Sequence, residues 1–130
     1  MNAFQSGYRS LLLALMLAWG APAAWAAGAV DVRQGATLQS QGTLLVDVRT
    51  PGEFAQGHAP GAVLIPLDQI GKRLTELGGK DRPIALICRS GNRSGQAQGI
   101  LEQAGFTKTV NVLGGMNAWE QAGLPVVKGQ

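Results

Sequence analysis

The 130-residue chain has one cysteine and one histidine, and only 5% of it is aromatic. A lone cysteine cannot pair within the chain, which excludes a disulfide-stapled scaffold. One His and one Cys cannot build a metal site. Charge is also sparse, at 15% of residues against 45% hydrophobic, with no charge block and no low-complexity tract. Disorder and a coiled coil are thereby excluded. No internal repeat, linker or second domain is visible, and the length suits one small globular domain.

The longest apolar stretch lies at the N-terminus. Met1 to Ser10 carries one basic residue, Arg9; Leu11 to Trp19 is unbroken apolar sequence; Gly20 and Pro22 follow; and Ala24-Trp25-Ala26 has the small-x-small pattern of a signal-peptidase site. Residues 1–26 read as an export signal cleaved after Ala26, with residues 27–130 as the domain. The apolar run is interrupted and falls short of the roughly 20 residues a spanning helix needs. The leader has no Cys for lipid attachment and no Arg-Arg pair for twin-arginine export.

Residues 27–130 carry only two more basic than acidic side chains, so the pI of about 9.5 is no nucleic-acid signal. Phe54, Phe106 and Trp119 are their only aromatics, too few for a base-stacking surface. Short apolar or β-branched runs at Val30 to Arg33, Leu44 to Val48, Val63 to Ile65, Ile84 to Cys88 and Thr109 to Val112 predict strands. Leu67, Ile70, Leu74 and Leu77 recur at helical spacing before Gly78-Gly79, and Ala97, Ile100, Leu101 and Ala104 repeat it before Gly105. Alternation of the two patterns predicts an α/β domain with a parallel sheet. Thr50-Pro51-Gly52-Glu53 predicts a capping box opening a short helix, which assigns the Glu53 carboxylate to the cap rather than to acid catalysis.

The chemistry concentrates in Cys88-Arg89-Ser90-Gly91-Asn92-Arg93-Ser94, between a buried strand and an amphipathic helix. Ligands of open α/β sheets bind beyond the carboxyl ends of strands, where helix N-termini present free N–H groups. Two arginines, loop amides and the helix dipole are conditions that lower a thiol pKa. A shift of about two units requires about 2.7 kcal/mol. One charge-assisted hydrogen bond and the dipole supply roughly that amount. Such a thiolate faces an anion with oxygens around a central atom: a phosphate, an arsenate or a thiosulfonate. Four residues, not the five of a phosphatase-type loop, separate Cys88 from Arg93, and no Asp follows as a general acid. The smaller cradle suits a single sulfur atom. Ser90 and Ser94 are candidates to donate to the sulfur or to cap the following helix.

The chain resembles single-domain rhodaneses, the thiosulfate sulfurtransferases. The resemblance rests on Asp47-Val48-Arg49 with Glu53, on Gly57-His58-Ala59-Pro60-Gly61-Ala62 with Ile65-Pro66, on the Cys88 to Ser94 loop, and on Gly114-Gly115 with Trp119, Gly123 and Pro125. It implies a rhodanese-like three-layer α/β/α domain with a five-stranded, mainly parallel central sheet. It implies a persulfide on Cys88, loop amides holding the terminal sulfur, and the Arg89 and Arg93 guanidiniums binding thiosulfonate oxygens. Asp47 and Arg49 become a structural ion pair, and His58 and Trp119 become structural supports. No cofactor is implied. The expected partners are a small anionic sulfur donor and a thiol or cyanide acceptor, with a thiol-redox protein as a further candidate. Neither nucleic acid nor, after leader cleavage, a membrane is expected as a partner, and the chain is expected to be a monomer. An exported member resembles the periplasmic rhodaneses. A persulfide carrier that turns over thiosulfate poorly is the alternative, and a small Cys-dependent phosphatase or arsenate reductase is a third.

Overall fold

Five parallel strands form the centre of the computed structural model, which describes Trp25 and residues 28–130. The predicted leader, residues 1–26, lies outside the described residues except for Trp25, which is half-buried against the core. In chain order the elements are β1 (Ala29–Val30), α1 (Val32–Ser40), β2 (Leu44–Asp47), α2 (Pro51–Gln56), β3 (Val63–Leu64), α3 (Leu67–Ile70), a 3-10 turn (Leu74–Leu77), β4 (Ile84–Ile87), α4 (Asn92–Gln103), β5 (Thr109–Val112) and α5 (Gly115–Gln121). The sheet order is β1-β5-β4-β2-β3.

Side chains of β4 alternate between two cores, as the period of a strand requires. Ile84 and Leu86 pack with Val46, Ile70, Leu77, Ala97 and Leu101 on the face covered by α3, the 3-10 turn and α4. Ala85 and Ile87 pack with Leu45, Val110, Met116 and Trp119 on the face covered by α1 and α5. All four β4 residues are buried, which explains their unbroken apolar run. The result is the expected three-layer α/β/α domain.

The expected strands ending at Val48, Ile65 and Cys88 each stop one residue earlier, at Asp47, Leu64 and Ile87, and two elements differ by more. The strand expected over Val30 to Arg33 ends at Val30, and Val32 opens α1. Asp31 accepts a hydrogen bond from Gln34 N at 2.8 Å while the Gln34 side chain accepts from Asp31 N at 2.9 Å. That reciprocal cap stops the strand, and the Asp31-x-x-Gln34 spacing carried the signal. The single helix expected from Leu67 to Leu77 is two pieces separated at Gly71. Gly71 and Lys72 are exposed and glycine is a poor helix former, while Ile70 and Leu77 are each fully buried.

β2 and β4 are neighbours, with Asp47 in register with Ile87. The chain leaves β2 toward β3 on one side of that seam and leaves β4 toward β5 on the other. The seam is therefore the topological switch point, and the loops after β2 and β4 diverge to open a crevice there.

Candidate active site

Cys88 follows the last residue of β4, at the carboxyl edge of the switch point. Gly91 turns the chain back with φ +106, a left-handed conformation that glycine adopts without strain, and serves as the N-cap of α4. The turn brings Gly91 N–H to 3.1 Å from Cys88 Sγ and Ser94 Oγ to 3.3 Å. Neither Ser90 nor Ser94 caps α4, which has no side-chain cap bond. Ser94 is fully buried against the sulfur instead.

Cys88 is itself 1% exposed. Burial alone pushes its thiol pKa up, and this is the largest single influence. Hydrogen bonds from the Ser94 side chain and from the Ser94, Gly91 and Ser90 amides together outweigh it, so the net position lies below the ordinary thiol value. The largest lowering contributions come from the serine hydroxyl and the backbone amides. Arg93 shares in the depression as expected, through its charge interaction with Cys88.

Arg93 differs from the role implied by the resemblance. Its Nη1 and Nη2 donate to Glu53 Oε1 and Oε2 at 2.8 and 2.9 Å, a bidentate pair that occupies the fork expected to bind substrate oxygens. Glu53 also closes the predicted capping box, accepting from Thr50 N and Thr50 Oγ1 at 3.1 Å each. One carboxylate thus fixes both the start of α2 and the cationic side of the loop. Arg89 lies 3.6 Å from the same carboxylate through Nε and remains 59% exposed, free to meet an anion at the mouth. A polar cavity of about 230 Å³ opens there, lined by Arg89, Glu53, Gln56, Asn117 and Glu120 among others.

The Arg93 hydrogen bond is the main reason the Glu53 carboxyl is lowered from 4.5 to about 2; burial opposes the shift and the Thr50 bonds assist it. A depressed carboxyl contributes stability that is fully present above 4.5 and lost as pH falls toward 2. The stability difference between the wild type and Glu53→Gln is expected to shrink across that interval. Urea midpoints of both proteins measured through it check the sign, and a constant difference would be inconsistent with the pair.

The remaining sequence candidates form the frame. Asp47 and Arg49 make a buried ion pair at 2.7 Å, and Arg49 Nη2 also donates to Gly57 O at 2.8 Å. His58 stacks on Phe54 with ring centroids 3.6 Å apart, and its Nδ1 bonds Phe54 O at 2.8 Å. Its backbone pairs with Val127, so it tethers the C-terminal segment. Trp119 is buried and its Nε1 donates to Pro125 O at 2.9 Å. Asn92 begins α4 beside the loop.

The Gly114-Gly115 pair opens α5 directly beneath the loop. Met116 N donates to Cys88 O at 2.8 Å and Asn117 N to Arg89 O at 3.0 Å. A Cβ on Gly115, whose φ is +53, would collide with the carbonyls of Cys88 and Arg89. Gly115→Ala is expected to cost about 2 to 4 kcal/mol of stability. Chemical denaturation measures it, and a loss under half a kilocalorie, roughly the size of a surface change, would contradict the close approach.

The profile of the Rhodanese-like domain matches residues 27–122. The chain belongs to the rhodanese family. A sulfurtransferase of Allochromatium vinosum is 46% identical over 88 residues, which is 68% of this chain and 81% of that protein. The thiosulfate sulfurtransferase PspE of Escherichia coli is 36% identical over 85 residues, 65% of this chain and 78% of its own length. Among solved structures, a rhodanese with anions from E. coli superposes with a TM-score of 0.59 at 34% identity, covering 67% of this chain and 99% of that one. The chain spans only 50% and 40% of two longer relatives. Sulfur transfer is the class of activity to which this rhodanese belongs, and its five strands are all parallel.

Asn111 did not enter the sequence reading. It accepts from Ser94 Oγ at 2.6 Å through Oδ1 and donates to Gly91 O at 3.0 Å through Nδ2. A polar residue between Val110 and Val112 was the available signal, since its side chain leaves the Trp119 face for that of α4.

Proposed function

We propose that this rhodanese moves the sulfane sulfur of thiosulfate through a persulfide on Cys88 to cyanide or a thiol acceptor, as an exported protein. The observation that carries the reading is a buried Sγ ringed by hydrogen-bond donors, with the exposed guanidinium of Arg89 at its rim. The thiolate attacks the outer sulfur of thiosulfate; the S–S bond breaks and its electron pair leaves on sulfite. Arg89 meets the oxygens of the donor, and the loop amides face the transferred sulfur. The acceptor then attacks that sulfur, and Cys88 departs as thiolate. Splitting the transfer into two displacements requires ping-pong kinetics.

The name of the E. coli relative supports thiosulfate as donor. The loop itself disfavours phosphoryl chemistry, since Ser94 stands where a phosphatase-type loop carries its arginine. Export is supported by the leader pattern and by a family match that begins at residue 27, next to the expected cleavage point. Among the described residues no helix is long and apolar enough to cross a membrane.

Intact mass of the purified protein after incubation with thiosulfate tests the reading. A gain of about 32 Da that disappears on adding cyanide or a thiol is expected, because a covalent intermediate is what the chemistry demands. No gain, with Cys88 shown to be a free thiol, would overturn thiosulfate as donor and favour a carrier loaded by a partner protein.

A further inference from the structure

Behind Cys88 runs a polar chain of three groups with a definite direction. Ser94 Oγ lies 2.6 Å from Asn111 Oδ1 and 3.3 Å from Cys88 Sγ. The bond from Asn111 Nδ2 to Gly91 O decides which end of the amide faces the serine: nitrogen toward the carbonyl, oxygen toward the hydroxyl. Ser94 therefore stands between two acceptors with one proton to give. In the neutral thiol every group is satisfied in one sense, S–H donating to Ser94 Oγ and Ser94 O–H donating to Asn111 Oδ1. A thiolate has no proton and needs donors, so the serine must turn its proton to Sγ and release Asn111.

We propose that Asn111 is a positioning residue that holds the Ser94 hydroxyl proton away from Sγ while the sulfur is uncharged and releases it when charge arrives there. The proposal rests on Cys88 being the nucleophile. On ionisation the thiol proton goes to solvent, the Ser94 proton rotates about the Cβ–Oγ bond, and Asn111, a half-buried residue, takes a water in exchange. In the persulfide Sγ is bonded to carbon and sulfur and is uncharged, so the proton returns to Asn111. When an acceptor thiolate takes the outer sulfur, a new S–S bond forms on the acceptor. The old bond breaks with its electron pair left on Sγ, and the hydroxyl turns in as that charge develops. A hydrogen bond made to the departing thiolate and not to the persulfide lowers the barrier to sulfur release.

Charged groups near the sulfur are Arg89 and Arg93 of the loop, Glu53 of α2 that ties Arg93, and the Asp47–Arg49 pair at the end of β2. Asn111 bonds none of them, and the Gly91 carbonyl also accepts from Gly95 N–H at 3.2 Å, a bond that does not involve the side chain at position 111. Substitutions at 94 and 111 therefore report on the serine proton.

The experiment is the pH dependence of iodoacetamide alkylation of Cys88, which reads thiolate without requiring sulfur transfer. Ser94→Ala removes the donor and is expected to raise the midpoint by about one pH unit, a tenfold loss of thiolate at fixed pH. Asn111→Val removes the competing acceptor and is expected to lower the midpoint by about half a unit, roughly a threefold gain. Asn111→Ala, which adds no β-branch, must move the same way. The double variant Ser94→Ala/Asn111→Val is expected to match Ser94→Ala alone. If Asn111 only braces the loop, its loss would loosen Gly91 N–H as well and raise the midpoint. A rise or no change in both Asn111 variants, with a depressed wild-type midpoint, overturns this inference alone. A wild-type midpoint at the ordinary thiol value overturns the reading of Cys88 as a poised nucleophile.

Discussion

Replacing Cys88 with serine is expected to lower sulfur transfer from thiosulfate to cyanide by roughly a thousandfold or more while leaving the fold intact. The chain contains no second cysteine that could carry the sulfur. An alcohol in the same place cannot substitute: its oxygen is not ionised near neutral pH, and the donors that depress a thiol cannot close that gap. The fold survives because serine matches cysteine in shape and meets the same partners, Gly91 N–H and the Ser94 hydroxyl. Steady-state rates with thiosulfate and cyanide, paired with urea midpoints, separate the two effects. Residual activity above a few per cent would remove Cys88 from the reaction. A large drop in midpoint would show that the sulfur is chiefly a packing atom, which is the common role of a free buried cysteine.

Asp47→Asn is expected to destabilise the protein by about 3 to 5 kcal/mol, the usual cost of leaving a buried charge unpaired. Asp47 is 0% exposed and Arg49 5%. The carboxylate accepts from Arg49 Nε at 3.0 and 3.1 Å, from Nη2 at 2.7 Å and from Arg49 N at 3.0 Å. An asparagine keeps the shape but turns an NH₂ toward a guanidinium that only donates, and withdraws the charge that balanced it. Arg49→Met should cost a similar amount by stranding the carboxylate. The double variant Asp47→Leu/Arg49→Met should cost less than either single change, because no buried charge then remains unpaired. Denaturant titration of the wild type, Asp47→Leu, Arg49→Met and their double variant gives the coupling directly. Additive losses would mean that the two side chains act separately, and a loss below one kilocalorie for Asp47→Asn would place the pair in the weak class of surface bridges. The pair sits under the crevice: Arg49 holds the Gly57 carbonyl at the end of α2, the helix that carries Glu53.

Features that depend on neighbours in the chain were legible. Thr50-Pro51-Gly52-Glu53 makes the capping box it spells, with Glu53 N on Thr50 Oγ1 at 3.2 Å. Thr109–Val112 is a strand with the expected bounds, and β4 stops one residue short of Cys88. Misreadings came where two local signals compete. Val30 to Arg33 alternates like a strand, but the Asp31 and Gln34 side chains satisfy the first free amides of a helix and turn the chain after Val30. Leu67 to Leu77 has helical period, yet each apolar pair reaches the core from a separate turn.

The reactive loop is of the same local kind. Cys88, the glycine that can adopt φ +106 and the serine that returns to the sulfur lie within seven consecutive residues, and backbone geometry over so short a span follows from the residues themselves. Pairings of charge and proton do not. Glu53 and Arg93 are forty positions apart and meet because β2 and β4 lie side by side at the switch point of a parallel sheet. Asn111 reaches Ser94 because β5 is hydrogen-bonded to β4 on the other side, with Leu86 and Asn111 in register. Sequence alone determined a cysteine in an amide-lined turn. Tertiary structure decided which arginine Glu53 grips with both oxygens, which one stays mostly exposed and which side chains meet the Ser94 hydroxyl, because those depend on which strand lies next to which.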